Sequence, residues 1–261
     1  MNGKPDSIGR FVLGTSQVII ISKKAANGQP NGVVVSPGEK LQAASIAGLD
    51  AQVKELNRFL SGFGQKFLYK RARQSCGIVL HGGRGSGKSM LVNKLTASGW
   101  GTVHRIDPDE KLSTIREVLQ KARAEQPSIV TMDGFEQLID KERSNYKSVT
   151  RALDEFLDTL ASDAEQNDEL PRVVLIVTCL DYMTDIPLSL REPRALEQNI
   201  FLPYPDVGAR RAILASFDLP VHPDLRDALV SSLGERTHAF NGKDLKKLEA
   251  RALREGQIRD E

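Results

Sequence analysis

The sequence predicts an α/β fold in which a parallel sheet is flanked by helices and is followed by a small all-helical domain. Short, continuous apolar runs alternate with amphipathic segments between about residues 45 and 205. Such runs are typical of strands that a parallel sheet buries on both faces. After about residue 206 the apolar runs stop and only helical periodicity remains. A chain of 261 residues can hold one large domain or two small ones, and we expect two.

The predicted elements follow one another along the chain. Short apolar runs predict strands at residues 77–81, 129–132 and 173–178, and residues 103–106 predict a further strand between the first two. Apolar side chains at helical spacing predict helices at residues 88–95, 112–124 and 149–160, and later at 209–217, 225–233 and 243–254. The acidic, polar stretch at residues 161–170 predicts a surface loop.

The first part of the chain differs from the rest and predicts a β-rich arm or linker. Residues 11–22 are rich in valine and isoleucine, and residues 27–32 carry the asparagine, glycine and proline of a turn. The predicted division is therefore an arm at residues 1–44, an α/β domain at 45–205 and a helical domain at 206–261.

The composition excludes several classes of protein. The formal net charge of +2 is nearly neutral for this length, so the charge balance requires no polyanionic partner, and the basic cluster at residues 66–73 is interpreted as a solvated helix face. No apolar run approaches the roughly 20 residues that span a membrane. Cys76 and Cys179 are too few for a zinc site or a disulfide-stapled secreted fold. Because Met1 opens no secretory or transit signal, we expect the cytosol or the nucleus.

The most specific motif lies between the first predicted strand and the helix after it. Gly82, Gly83, Arg84, Gly85, Ser86, Gly87, Lys88 and Ser89 fit the P-loop (Walker A) pattern. Glycines let consecutive backbone N–H groups point at a phosphate, and the helix N-terminus adds the positive end of its dipole. Lys88 is expected to reach the β- and γ-phosphates and Ser89 to bind Mg²⁺. We include Met90, the next residue of the helix, among the nucleotide-binding candidates.

Around this loop the sequence resembles the AAA family of ATPases, within the AAA+ superfamily, over about residues 45–255. Residues 45–49 look like the motif that opens the family's domain, which implies that Ile46 and Ala47 lie beside the adenine. Residues 127–133 are similar to the family's second nucleotide motif (Walker B), and Asp133 at its end is implied as a Mg²⁺ partner. Thr178 falls where the family's polar sensor strand ends. The resemblance implies a P-loop parallel sheet with a helical lid.

Two later motifs continue the resemblance. Arg191 and Arg194 match the family's pair of arginine fingers, which are the implied catalytic residues. Residues 237–245 are close to the motif that opens the last lid helix, in which His238 approaches the ribose and Gly242 lets the helix pass near the nucleotide. The resemblance implies ATP or ADP and Mg²⁺ as ligands, and other AAA modules as partners in a homo- or hetero-oligomeric ring such as a hexamer. A plainer interpretation also exists: Asp133 as a turn cap, the arginines as surface pairs and His238 as a structural histidine.

The sequence departs from the family at three places. Gly134 stands where the family has the glutamate that activates water, and loss of a general base costs on the order of 10²–10⁴ in rate. Glu136 is the nearest other acid, and we expect it to leave the strand end in a different direction. Cys179 stands where the family usually has asparagine, and a thiol is a poor hydrogen-bond donor. Residues 107–110 form a short loop without the aromatic residue that grips substrate in active unfoldases.

These departures predict a module that binds ATP, hydrolyses it poorly and acts as a regulatory or scaffolding unit of an AAA ring. One alternative is an active AAA ATPase that remodels protein complexes, with another residue in place of the missing base. A less favoured alternative is an initiator or clamp-loader-like subunit that works on DNA. That function calls for a DNA-binding appendage or a coherent basic stripe, and the sequence contains neither, so nucleic acid is not the expected partner.

Overall fold

The computed structural model describes residues 41–63, 75–138, 146–219 and 221–259 of the chain. These residues belong to one compact unit that extends from Val34 to Glu261. The predicted arm lies outside the described residues except for residues 41–44, and so does the basic cluster at residues 66–73.

A five-stranded parallel sheet forms the centre of the α/β part. Its strands are β1 (Gly77–His81), β2 (Thr102–Ile106), β3 (Ser128–Met132), β4 (Val173–Cys179) and β5 (Asn199–Phe201). They lie in the order β2-β3-β4-β1-β5. The four predicted strands are confirmed to within one residue at each end, and so is their parallel arrangement. The sequence does not predict β5, because only Ile200 of its three residues is buried.

The predicted helices are confirmed, and shorter ones accompany them. The helices are α1 (Asp50–Leu60), α2 (Lys88–Thr96), α3 (Leu112–Ala124), α4 (Phe135–Leu138), α5 (Tyr146–Asn167), α6 (Tyr182–Asp185), α7 (Val207–Ala215), α8 (Pro223–Arg236) and α9 (Gly242–Arg259), with a 3₁₀ turn at Leu188–Arg191. None of the helices in the described part of the chain is long and apolar enough to cross a membrane.

Helices cover both faces of the sheet, and alternate residues of each strand point into different cores. In β4, Val174 and Ile176 share a core with Leu56 of α1, whereas Leu175 shares a core with Leu153 of α5. All five side chains are fully buried. Burial on both faces explains why the central strands are continuous apolar runs. Because the strands are parallel, the residues that follow them meet at one edge of the sheet.

Residues 161–170, which we expect to form a surface loop, are mostly helical, because α5 continues to Asn167. Leu160 and Ala164 extend the buried face of α5 by one more turn. Beside this buried face, Asp163 accepts two hydrogen bonds from Arg123 of α3, each 2.9 Å long. The acidic composition thus belongs to the solvent-facing side of a helix, and the loop prediction is wrong.

α7, α8 and α9 form the all-helical part, which we call the lid. Leu214, Val230 and Leu245, one from each helix, form a small apolar cluster that is separate from the two cores of the sheet. The buried guanidinium of Arg210 in α7 donates to the carbonyl oxygen of Gly234 in α8 at 2.8 and 3.1 Å. The lid therefore has its own internal packing. The domain boundary at residues 205 and 206 stays a prediction.

Candidate functional site

The loop between β1 and α2 has the backbone shape that a phosphate cradle needs. Gly82, Gly85 and Gly87 have φ angles of 147°, 82° and 106°, a region that residues with side chains rarely adopt. At Gly85 a Cβ atom would also lie 2.6 Å from Oδ1 of Asn241. α2 begins at Lys88, so its dipole presents its positive end to the loop. The conformation of the loop thus fits the P-loop prediction.

The polar groups inside this loop suit phosphate oxygens. Nζ of Lys88 donates to the carbonyl oxygens of Gly82 at 2.6 Å and Gly83 at 3.0 Å. Burial lowers the pKa of Lys88, and the nearby carboxylates of Glu136 and Asp133 partly oppose this effect. Oγ of Ser86 is buried and has no hydrogen-bond partner among the residues that the structure describes. An ammonium group and an unsatisfied hydroxyl in a glycine-rich loop form a donor set for a phosphate.

Three polar side chains meet where β3 and β4 end. Oγ of Ser89 donates to Oδ2 of Asp133 at 2.8 Å, and Oγ1 of Thr178 donates to Oδ1 of the same carboxylate. The N–H of Gly134 donates to Oγ1 of Thr178 at 3.0 Å. Mg²⁺ is held by one or two carboxylates together with phosphate oxygens and water, and here a hydroxyl stands beside the carboxylate. The donor set therefore fits Mg²⁺ bound next to a phosphate.

A cavity of about 720 Å³ opens beside the P-loop. Its size is within the range of pockets for small molecules. Its wall contains the candidates Ile46, Ala47, Met90 and Gly242 together with residues 85–89 of the loop. Wall residues that the sequence does not single out include Lys94, Ile213, Phe217 and Lys246. The structure thus brings the predicted adenine-side, phosphate-side and lid-side residues to one place.

Three predicted candidates, His238, Arg191 and Arg194, lie neither in the wall of this cavity nor among the phosphate and Mg²⁺ groups described above. His238 is exposed after the end of α8. Nε of Arg191 donates to the carbonyl oxygen of Ile186 at 2.8 Å, and Arg194 pairs with Glu165 at 3.0 Å. Both arginines are therefore held by their own chain. That Arg191 and Arg194 act as arginine fingers, and that His238 contacts the ribose, stay predictions.

Glu136 lies closer to the site than the sequence suggests. The chain turns at Gly134, whose φ is 73°, and the N–H of Gln137 closes the turn on the Gly134 carbonyl at 2.9 Å. Oε1 of Glu136 lies 4.0 Å from the position that a Cβ on residue 134 would take. Its carboxylate is also the strongest of the charges that oppose the burial-driven lowering of the Lys88 pKa. The expectation that Glu136 points elsewhere is wrong, because a left-handed turn at a glycine returns the chain toward the strand end.

Cys179 is a neutral thiol at the end of β4. Burial raises its pKa to about 12, and the carboxylates of Asp185 and Glu136 act in the same direction. Within the described part of the chain, Oε2 of Glu136 is likewise buried and finds no hydrogen-bond partner. The end of β4 therefore carries a weak hydrogen-bond donor, and the Glu136 carboxylate near it keeps one unsatisfied oxygen.

Asn241 is a site residue that the sequence analysis misses. Its side chain contacts Gly85, and its Oδ1 accepts a hydrogen bond from the N–H of Asp244 at 3.0 Å. The available signal was an asparagine three residues before an aspartate at the start of a helix, which is a capping pattern. That pattern predicts the helix start but not its contact with the P-loop.

Comparison with known proteins agrees with this geometry. Residues 78–204 match the model of the family described as ATPase family associated with various cellular activities (AAA). This range begins in β1 and ends shortly after β5. It therefore covers the sheet, the P-loop and Asp133.

Relatives match over most of this chain. ATPase family gene 2 protein of Schizosaccharomyces pombe is 28% identical over 235 residues, which cover 85% of this chain and 28% of the relative. Vacuolar protein sorting-associated protein 4B of Mus musculus is 25% identical over 257 residues, or 94% of this chain and 56% of the relative. Katanin p60 ATPase-containing subunit A1 of Arabidopsis thaliana is 24% identical over 182 residues, or 65% of this chain and 34% of the relative. The chain thus spans between 28% and 56% of the lengths of these three relatives.

Proposed function

Because the chain carries a domain of the AAA family of ATPases, we propose that it binds ATP or ADP with Mg²⁺ but hydrolyses ATP slowly or not at all. On this proposal it acts as a regulatory or scaffolding unit of a ring-shaped AAA assembly. The observation that carries the proposal is Gly134, which directly follows Asp133 and lies beside the groups proposed to hold phosphate and Mg²⁺.

Binding rests on groups that do not depend on Gly134. The P-loop amides and Lys88 would hold the phosphates, Ser89 and Asp133 would hold Mg²⁺, and Ile46 and Ala47 would lie against the adenine. Bound Mg²⁺ neutralises charge on the β- and γ-phosphates. The affinity for nucleotide is therefore expected to survive without a general base.

Hydrolysis needs a proton acceptor at the attacking water, and the residues that replace the family's polar groups supply none. Gly134 has no side chain, and Cys179 is a neutral thiol whose burial raises its pKa to about 12. Loss of a positioned general base lowers a rate by on the order of 10²–10⁴. We therefore propose that the chain responds to nucleotide through binding rather than turnover.

Assembly is the proposed consequence of binding. Nucleotide that binds only the folded, assembled form stabilises that form by mass action without a chemical step. The proposed partners are other AAA modules, in a homo- or hetero-oligomeric ring such as a hexamer, with Arg191 and Arg194 contributing at the contact between subunits. The proposed location is the cytosol or the nucleus.

Two measurements on the wild-type chain and Lys88→Ala test this function. Equilibrium dialysis with Mg-ATP and Mg-ADP measures binding, and steady-state phosphate release measures turnover. We expect the wild type to retain nucleotide, Lys88→Ala to lose it, and phosphate release to stay at background for both. Lys54→Ala, at an exposed position of α1, is the matched control and is expected to bind as the wild type does. Phosphate release that depends on Lys88 would contradict slow hydrolysis, and a wild type without affinity for nucleotide would contradict the whole proposal.

A second candidate function, an active ATPase that remodels protein complexes, is favoured by one observation, the position of Glu136. Its Oε1 lies 4.0 Å from where the side chain of residue 134 would begin, and its Oε2 is buried. If the wild type does hydrolyse ATP, Glu136→Gln is expected to lower the rate by about 10²-fold or more while leaving nucleotide affinity intact. Glu117→Gln, at an exposed position of α3, is the control. Turnover that persists in Glu136→Gln would exclude Glu136 as the base.

A further inference from the structure

The last helix of the lid, α9, begins directly against the P-loop. Oδ1 and Cγ of Asn241 lie 2.6 and 2.7 Å from the position of a Cβ on Gly85, and a Cβ on Gly242 would lie 3.5 Å from the Gly85 carbonyl oxygen. The side chain before α9 and the first residue of α9 therefore both contact the middle of the loop.

The Asn241 side chain is fixed in this place because it also caps α9. Its Oδ1 accepts the N–H of Asp244 at 3.0 Å, and Oδ2 of Asp244 accepts the N–H of Asn241 at 3.3 Å. The carbonyl oxygen of Asn241 accepts the N–H of Leu245 at 3.0 Å. This reciprocal pairing is a capping box, which ties the side chain to the first turn of the helix. The oxygen that touches the loop is thus part of the helix cap.

A second residue, Tyr204, contacts the loop at Gly83, which precedes Arg84 as Gly85 follows it. The hydroxyl group and ring of Tyr204 occupy the space that a Cβ on Gly83 would need. Tyr204 belongs to the segment between β5 and α7, which leads from the sheet into the lid. Arg84 at the loop tip therefore lies between two contacts that both come from chain segments connected to the lid.

We propose that Asn241 is a positioning residue that couples phosphate binding in the P-loop to the orientation of the lid. This inference rests on the proposed function, since it requires a nucleotide in the loop. A bound phosphate fixes the loop amides, and a fixed Gly85 limits where Asn241 and α9 can lie. The amide suits this place because it caps a helix about as well as a carboxylate does, yet adds no negative charge beside the phosphates.

Two substitutions separate the helix cap from the loop contact. Asn241→Ser keeps a good N-cap but is too short to fill the contact with Gly85. We expect it to weaken binding of Mg-ADP and Mg-ATP by roughly two- to tenfold, the range for one lost interaction. Asn241→Asp keeps both the cap and the length, but its negative charge faces the phosphate site. We expect it to weaken Mg-ATP binding more than Mg-ADP binding.

Hydrogen exchange of the first turn of α9, residues 242–245, measures the coupling itself. In the wild type, Mg-ADP is expected to slow exchange there, and in Asn241→Ser this nucleotide-dependent slowing is expected to be lost. Asp206→Ser is the matched control, because Asp206 caps α7 in the same lid by accepting the N–H of Ala209 at 2.7 Å. In Asp206→Ser, Mg-ADP is expected to slow hydrogen exchange at residues 242–245 as it does in the wild type. Equal urea unfolding of the two serine variants would confirm that both remain folded.

The possible failures are distinguishable. If the wild type binds nucleotide and Asn241→Ser shows the full slowing of exchange in α9, the inference is overturned while the proposed function stands. If Asn241→Ser and Asp206→Ser lose the response equally, the effect comes from capping in general, and the inference is again overturned. If the wild type binds neither Mg-ADP nor Mg-ATP, the proposed function fails and the inference fails with it.

Discussion

Gly134 affects the site in two separate ways. It brings no proton acceptor, and its φ of 73° permits the turn that returns Glu136 to the strand end. A residue with a Cβ in the left-handed region costs roughly 1–2 kcal/mol. An exchange such as Gly134→Glu would therefore change the backbone as well as the chemistry. Glu136→Gln leaves the turn intact and is the cleaner test of which carboxylate acts.

The first residue-scale prediction concerns the conformation of Gly134. Gly134→Ala is expected to lower the free energy of unfolding by roughly 1–2 kcal/mol, because alanine is strained at this φ. Urea unfolding measures the change. Gly208→Ala is the control, since Gly208 lies in α7 and its added Cβ would meet only Oδ1 of Asp206 at 3.4 Å. That exchange is expected to be neutral or to stabilise by up to about 1 kcal/mol. Equal losses in both variants would contradict the role of the φ angle.

The second residue-scale prediction concerns His104 in β2, whose side chain is 7% exposed. Burial lowers its pKa from the usual 6.5; Glu125 opposes this shift, and Lys121 adds to it. Below pH 6.5 the unfolded chain therefore binds more protons at this residue than the folded chain does. The stability contributed by neutral His104 is complete above pH 6.5 and is lost as the pH falls toward the lowered value.

Urea unfolding at several pH values tests this behaviour. His104→Gln is expected to lose less stability between pH 7.5 and pH 5.5 than the wild type does. His222→Gln, at an exposed position, is the control and is expected to follow the wild type. A wild-type slope that is unchanged in His104→Gln would show that other groups set the pH dependence.

At the scale of the elements, the candidate site is built from the segments that follow β1 and β3 and from the end of β4. These are the P-loop, the turn at Asp133 and Gly134, and the last two residues of β4, Thr178 and Cys179. They meet because β4 lies between β1 and β3 in a parallel sheet. α5 supports this arrangement from one face of the sheet through a stripe of buried side chains. The packing of these buried side chains against the sheet therefore stabilises the positions of the strand ends.

The element-scale prediction addresses this stripe. Leu153 of α5 is fully buried, and Leu153→Ala is expected to lower the free energy of unfolding by about 2–5 kcal/mol, because a cavity replaces its side chain. Leu225→Ala makes the same chemical change at a position in α8 that is 61% exposed. It is expected to change stability by less than about 0.5 kcal/mol. Similar losses in urea unfolding for both variants would contradict the assignment of the core.

At the scale of the whole molecule, the cavity beside the P-loop joins the α/β part to the lid. Its wall contains Ile46, the P-loop, and Phe217 and Gly242 of the lid region. A ligand that contacts both parts is expected to reduce their relative motion. Arg191 and Arg194, by contrast, are bound within the chain away from that wall, so their proposed work in an assembly requires a neighbouring subunit or a change of partners.

The whole-molecule prediction is ligand-dependent stability. Mg-ADP at 100 times its Kd is expected to stabilise the wild type by about 2.7 kcal/mol. For a chain of this size that corresponds to a rise in Tm of roughly 5–10 °C. Lys88→Ala is expected to show no rise, and Lys54→Ala is expected to show the wild-type rise. Scanning calorimetry with and without Mg-ADP gives the comparison, and an equal rise in Lys88→Ala would place the ligand elsewhere.

The sequence by itself determines the elements and the local motifs of this protein. β1, β3 and β4 are nearly continuous apolar runs whose residues are almost all buried, so pattern and burial coincide. β2 is an edge strand with exposed Thr102 and Arg105, and the bounds of all four strands are predicted to within one residue. The P-loop is equally local, because its glycines, Lys88 and Ser89 are neighbours in the chain. The sequence does not predict β5 or the last turns of α5. A three-residue edge strand and a polar helix face contain too few apolar residues to show a periodic pattern.

Only the tertiary structure decides how distant side chains meet. Asn241 and Gly85 are far apart in sequence, and no local pattern reports that the cap of α9 touches the P-loop. The direction of Glu136 depends on one backbone angle at Gly134, which residue spacing does not reveal. The ion pair that holds Arg194 depends on Glu165, a partner that only folding brings within reach. Local periodicity specifies the elements because it repeats over each of them, whereas the contacts between elements depend on packing of the whole chain.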